Sequence, residues 1–205
     1  MIEKNIEFCN KFQSFLTQKY KMLINDCKIK VPLSSLVNRT GKLLKNNEWN
    51  DKIVMDLSTM PENSIIINNF SNGSDFKTNI KTVDNLDLVY GSIRPYFKKC
   101  GFVLDVNYIV GSVFSFKPVY PEEYLWLLAC ICSEDFHKYT NTNSQGTKMP
   151  MINWETFIEY KVPYDPKIAS DFNRELNVLF NIVKKKCRET RKLKKIKEIM
   201  LKKYF

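Results

Sequence analysis

The sequence predicts an α+β protein: a globular mixed-sheet body followed by a long C-terminal helix of coiled-coil type, with a further helix at the N-terminus. Three observations carry this expectation. Short runs rich in β-branched and aromatic residues, separated by turn signals, fill the centre of the chain. Residues 3–25 place apolar side chains at helical spacing. From Lys167 onward the chain has no Gly or Pro, and apolar residues recur at steps of three and four. The expected units are 1–27, 28–165 and 166–205.

In the first helix Ile6, Cys9, Phe12, Leu16 and Leu23 fall near a 3.6-residue period, with Lys and Glu between them. Residues 28–33 read as a short strand entering the body, and 39–51 as a polar loop around Gly41, Asn46 and Asn47. Strands are expected at 53–56, 64–67, 86–90 and 112–116. Met60-Pro61-Glu62-Asn63, Ser71-Asn72-Gly73-Ser74 and Val106-Asn107 supply the turns between them. Pro121-Glu122-Glu123 opens a helix expected to run to Phe136, with a proline at an early position and two acids near the positive end of the helix dipole. Residues 141–150 read as a polar loop, 153–157 as one helical turn capped by Asn153, and 160–162 as a last short strand. The final helix, if continuous, is about 55 Å long at 1.5 Å per residue. Leu176, Leu179, Val183, Leu193 and Met200 form its apolar seam, which Lys186, Thr190 and Lys197 interrupt. A helix of that length needs another long helix as a mate, in this chain or a neighbour. The alternative is a helix in two pieces folded back on the body.

The chain has 205 residues and is 44% hydrophobic and 13% aromatic, which suits a folded body with a real core and excludes disorder. The longest apolar run, residues 124–132, is too short to cross a bilayer, which takes about 20 residues, and no signal peptide is visible. A cytoplasmic location is therefore expected, with no membrane partner. Six scattered cysteines form no CxxC pair, and the lone His137 offers no zinc spacing, so reduced core thiols and no metal are expected. The net charge is +10. Between Lys184 and Lys203 stand 11 basic residues against Glu189 and Glu198, leaving 21 basic and 20 acidic residues elsewhere, a net +1. The basic character therefore belongs to the tail. That tail fits a solvated helix face, an acidic partner surface or a DNA backbone.

The chemistry of an enzyme is hard to find. His137, the only histidine, stands at an expected helix end, where a capping or surface role is the ordinary one. There is no phosphate-binding loop of the GxxxxGK[ST] or GxGxxG type. Val162-Pro163-Tyr164-Asp165-Pro166 only echoes the Asp/Asn-Pro-Pro-aromatic motif of adenine methyltransferases. Glu159-Tyr160-Lys161 fits a nuclease Glu-x-Lys, but a chain this rich in Glu and Lys supplies such a match by chance. A non-catalytic protein is expected.

Three stretches say more than composition does. Asp87-Leu88-Val89-Tyr90-Gly91-Ser92-Ile93-Arg94-Pro95-Tyr96 runs from a strand through a glycine and a serine to an Arg-Pro pair. A residue before proline is pushed toward extended backbone, so Arg94 is expected to be aimed from a stiff support at a phosphate or a guanine edge. Asn143-Ser144-Gln145-Gly146-Thr147-Lys148-Met149-Pro150-Met151-Ile152-Asn153 is a loop of amides and hydroxyls leading into a capped turn. The third, Val162 to Pro166, ends the body and launches the long helix.

In this order and spacing the three resemble the target-recognition domain of type I restriction–modification specificity subunits. The residues that carry the resemblance are Asp87 to Arg94, Ser144 to Asn153 and Val162 to Pro166, with Leu33-Ser34-Ser35-Leu36-Val37 and Gly41 similar to the family's opening strand and loop. The resemblance covers residues 28–205. It implies a non-catalytic subunit that reads double-stranded DNA and directs adenine methylation and restriction to a bipartite site. It also implies a methyltransferase subunit that carries S-adenosylmethionine, a restriction/translocase subunit, and no cofactor on this chain. A complete family member holds two reading domains and two long helices, whereas this sequence holds one of each. A half-subunit that forms a homodimer or pairs with a second half is therefore expected. Candidate DNA-binding residues are Lys42, Lys45, Asn46, Arg94, Tyr96, Lys98, Asn143, Gln145 and Lys148, with Gly91 and Gly146 serving backbone shape. Candidate residues toward a dimer or partner helix are Leu176, Leu179, Val183, Leu193 and Met200. The specificity module of another restriction class and a coiled-coil adaptor without DNA function remain open on the residues alone.

Overall fold

The computed structural model describes residues 1–45, 49–77 and 79–204. The α+β architecture is the one expected. Helix α1 spans Ile2–Leu23 and buries Asn5, Cys9, Phe12, Leu16 and Tyr20. Ile6 and Leu23, expected on this stripe, sit at its margin. At the other end of the chain, α5 spans Pro166–Tyr204 as one unbroken helix of 39 residues. The Asp165 carboxylate caps it by accepting from the backbone N–H groups of Lys167 (2.9 Å) and Ile168 (3.0 Å).

The two helices run antiparallel. Lys19 pairs with Glu175, the Phe12 and Phe180 rings stack at 6.1 Å, and Asn5 donates to Glu189 at 3.2 Å. The buried seam of α5 is Ala169, Phe172, Leu176, Phe180, Val183, Cys187 and Thr190, steps of three and four throughout. The mate that so long a helix needs is thus supplied within the chain along most of its length. This revises the partner-helix assignment for Leu176, Leu179 and Val183, which pack into this chain's own core. Leu193 is half-buried, and beyond it Ile196, Ile199, Met200 and Leu201 are exposed. Among the described residues no helix is long and apolar enough to cross a membrane.

Between the helices lie, among the described residues, three sheets. Strands β1 (Ile29–Pro32) and β10 (Lys161–Tyr164) pair antiparallel and close the body where the chain enters and leaves it. A four-stranded antiparallel sheet has the order β2 (Val37–Arg39), β9 (Val113–Pro118), β6 (Leu88–Gly91), β7 (Cys100–Phe102). A second four-stranded sheet has the order β4 (Ser71–Asn72), β3 (Ile53–Met55), β8 (Tyr108–Val110), β5 (Ile80–Thr82), with β3 and β8 parallel. Three short helices complete the body: α2 (Tyr124–Ile131), α3 (Glu134–Thr142) and α4 (Trp154–Ile158). The main core joins α1, α2 and α5 to one face of the β2-β9-β6-β7 sheet.

The structure corrects four local expectations. Residues 64–67 form no strand: the Ile65 N–H donates to the Gln13 side chain of α1 at 3.0 Å, which takes it out of ladder pairing. The Ile65 backbone also crowds β7, where a Cβ added at Gly101 would lie 2.7 Å from the Ile65 carbonyl oxygen. The single helix expected from Pro121 to Phe136 is broken at Cys132-Ser133, because Ser133 turns extended and caps α3 through the Phe136 N–H. His137 is neither a cap nor a surface residue. It is buried inside α3 with Nδ1 3.2 Å from the Tyr90 hydroxyl, which also meets Thr140 Oγ1 at 2.7 Å. Arg94 is not extended, as described below.

The basic end of α5 is fastened to the body by Arg188, which makes two 2.9 Å bonds to the Asp105 carboxylate. The guanidinium holds that carboxyl below its usual value. Because the folded value is depressed, the contribution is present above the ordinary carboxylate range near 4 and is lost as pH falls through the lowered value. Arg188→Ala is expected to move the Asp105 titration upward in carboxyl NMR. An unmoved titration contradicts the contact.

Candidate nucleic-acid interface

The first motif ends in an elbow between β6 and β7. Its base is closed by the Gly91 N–H donating to the Lys99 carbonyl at 2.8 Å. Gly91 sits close against its neighbours: a Cβ there would lie 2.7 Å from Leu57 Cδ2 and 3.3 Å from Lys99 Cβ, so the Leu57 side chain would have to shift. Ser92 is buried and donates through both N–H and Oγ to the Ser112 carbonyl, at 3.0 and 2.7 Å. Asp87 is buried too. It accepts from Thr40 Oγ1 (2.6 Å) and the Asp84 N–H (3.1 Å), while burial pushes its carboxyl up. Ser92 therefore fastens the base of the elbow, while Asp87 ties the opposite end of β6 to Thr40 and the turn at Asp84, and the tip is left to make contacts.

At the tip Arg94 adopts φ 51°, ψ 60°, the left-handed region, and Lys98 a similar φ of 52°. The expected extended backbone is lost because the Arg94 N–H turns to donate to the Pro150 carbonyl at 2.7 Å. Non-glycine residues in that region each cost on the order of 1 kcal/mol, so the surrounding contacts must hold the elbow in place. Those contacts come from the second motif. Gln145 and Met151 exchange backbone bonds of 2.9 and 2.8 Å, Gly146 takes the turn at φ +99°, and Met151 also bridges to Ile93. The Ile152 N–H then donates to the Ser92 carbonyl at 3.0 Å. Two stretches about fifty residues apart in sequence are in this way built into one unit. The loop runs directly into α4, capped as expected by Asn153, whose Oδ1 accepts from the Thr156 N–H at 2.7 Å. Asn153→Ala is expected to cost about 1 kcal/mol, read as a lowered melting temperature. A melt unchanged from the parent would deny the cap its role.

Gln145, Lys148 and Asn143 are exposed on this unit, with the Asn143 amide donating to the Tyr139 carbonyl at 2.8 Å. Tyr96 is exposed beside Phe97. Lys98 is held by the Glu134 carboxylate at 2.7 and 2.8 Å, so its charge is already matched. Lys42 and Lys45 are exposed on the loop after β2, and Asn46 lies outside the described residues. Lys42 joins the same face through its backbone, which exchanges bonds with Thr82, while Leu43 bridges to Lys81.

Between this loop and the two motifs runs an open groove of about 710 Å³, lined among others by Leu43, Asn79, Lys81, Met151 and Asn153. Sequence reasoning missed Lys81 and Arg39 here. Lys81 donates to the Gly111 carbonyl at 3.2 Å, and burial, with the Arg39 charge second, pulls its ammonium down. The Arg39 guanidinium stacks over Trp154 at 4.9 Å and Phe114 at 6.0 Å while remaining exposed. An exposed face with stacked and tethered cations, side-chain amides and a glycine turn suits phosphate contact and base-edge reading. Among the described residues no group of three His, Cys, Asp or Glu is placed to hold a metal ion.

No family model matches the sequence, and neither does a curated protein. Among solved structures, the type I restriction–modification S subunit from M. genitalium is similar over 100% of this chain and 55% of its own, with TM-score 0.56 and 16% identity. The HsdS subunit from Thermoanaerobacter tengcongensis is similar over 80% of this chain and 44% of its own, with TM-score 0.55 and 18% identity. The chain therefore has the fold of a type I S subunit and spans about half the length of those it matches.

Proposed function

We propose that this S-subunit fold serves as a non-catalytic, sequence-reading subunit of a type I restriction–modification complex, and that it directs adenine methylation and restriction to a bipartite DNA site. The observation that carries the reading is the fusion of the Gly91–Lys98 elbow with the 143–153 loop through Arg94, Ile93 and Met151 into one exposed, amide-rich and cationic face. The partners proposed with this reading are a methyltransferase subunit that brings S-adenosylmethionine, a restriction/translocase subunit, and a second reading unit to complete a bipartite target. A second copy of this chain would give two-fold symmetry and a palindromic pair of half-sites. The exposed Ile196, Ile199, Met200 and Leu201 at the end of α5 offer a surface for that pairing.

The test is selection from randomised duplex DNA by the full chain purified with its copurifying partners, at a stated low salt, since backbone affinity falls steeply with salt. A bipartite motif with a fixed gap is expected. No enrichment with the methyltransferase subunit present would leave the coiled-coil adaptor as the better account.

A further inference from the structure

The reading face leaves the most basic part of the chain unused. Where the second half of α5 passes the edge of the β4-β3-β8-β5 sheet it forms a groove of about 820 Å³. Six cations line it, Lys52, Arg188, Arg191, Lys192, Lys194 and Lys195, against Asp51, Asp105 and Glu198, a net +3. We propose that this groove is a second, sequence-independent seat for the phosphates of duplex DNA, distinct from the elbow-and-loop face. It rests on the DNA-recognition reading above and adds to it where the backbone is held.

The groove is built. Arg191 is only 17% exposed; it donates to the Leu104 carbonyl and, at 2.7 Å, to the Ile67 carbonyl, and it stacks on Phe70 at 4.7 Å. Arg188 is clamped to Asp105, and Lys194 donates to Asn69 Oδ1 at 3.0 Å. These three fix the helix to the body, and that fixes the position of the cations beside them. Lys192 and Lys195 are exposed and have no ion-pair or hydrogen-bond partner among the described residues. They fall at i and i+3 on one helix face, about 4.5 Å apart along the axis. One DNA strand presents a charge about every 3.4 Å of its axis, so a span of that length meets successive phosphates.

The lining separates a nucleic acid from an acidic protein. Protein interfaces are depleted of Lys at an apolar centre, whereas DNA interfaces are polar and strongly cationic. Among the described lining residues Ile53 is the single exposed large apolar side chain; the rest of the exposed lining is polar or charged, with Lys192, Lys195, Arg188, Asn69 and Asn72 beside Asp51, Asp105 and Glu198. The cations left free in the groove, Lys192 and Lys195, are point charges and not planar guanidinium groups, so the groove positions the duplex and leaves base choice to the other face.

The experiment measures affinity against salt for the full chain with its copurifying partners, on a selected duplex and on a scrambled one. The variants are Lys192→Ala/Lys195→Ala and, as a charge control, Lys192→Arg/Lys195→Arg. Both side chains are exposed and unpartnered, so the melting temperature is expected to hold. The slope of log affinity against log salt should fall in magnitude by about 1 to 2 in the alanine variant. The loss should be equal on both duplexes, and arginine should restore it. An unchanged slope overturns the proposal. So does an intact slope with loss of a copurifying subunit, which would give the groove to an acidic protein. The scrambled duplex reads the groove even if no sequence is enriched, which separates this outcome from failure of the recognition reading.

Discussion

Phe180→Ala is expected to destabilise the protein by about 3–5 kcal/mol, the range for a fully buried phenylalanine truncated in a packed core. The ring is 3% exposed and meets Phe12 of α1 at 6.1 Å, Phe102 of β7 at 5.1 Å and Tyr124 of α2 at 5.5 Å. It is the point at which the two terminal helices and the sheet share one core. A cavity there loses contacts on three sides, and none of the three elements can close it alone. For a chain of this size the melting temperature should fall by on the order of 10 °C. Val178→Ala on the same helix, where the side chain is 68% exposed, should stay within about 0.5 kcal/mol. Similar melts for the two variants would mean that α5 is not seated on the body.

Arg94→Ala is expected to weaken binding to a selected duplex by about 1–3 kcal/mol, on the order of 5- to 150-fold, with little change on a scrambled duplex. Arg94 stands at the tip of the elbow, and its backbone is fixed by the bond to Pro150. Alanine leaves that bond in place, so the loss reports the guanidinium and not the elbow. Lysine should not restore the affinity, because a point charge does not reproduce the two parallel donors that a guanine edge or a phosphate accepts. Equal loss on both duplexes would make Arg94 a phosphate contact; no loss on either would remove it from the interface.

Much of the fold is legible in the sequence where a single local rule decides. The long helix follows from the absence of Gly and Pro after Pro166, and α4 follows from Asn153 acting as a cap. The α5 seam is legible in part: Leu176 and Val183 are on it, but Phe172, Phe180 and Cys187 complete it, and their mate in α1 is a tertiary fact that periodicity does not contain. Strands β5, β7 and β8 have three residues each, too short for alternation to register. The break before α3 needs no Gly or Pro, only Ser133 preferring a cap over a helical interior. Burial of His137 follows from its facing Tyr90, a residue of a different element. The candidate interface divides the same way. Its two motifs are readable as strings, and their fusion explains the spacing. Arg39 and Lys81 are not readable, because each is placed by long-range contacts, with Trp154 and Gly111 respectively.

The central claim is that the fused elbow and loop choose the bases. The most direct measurement replaces residues 144–149 with a neutral Gly/Ser loop of equal length, which leaves the backbone bridge at Gln145 able to form, and repeats the selection from randomised duplex with the same partners. Sequence preference is expected to vanish or change in each half-site that this chain reads, in both halves where the second reading unit is a second copy of it, while overall DNA affinity and its salt dependence persist. An enriched motif identical to that of the parent would contradict the claim.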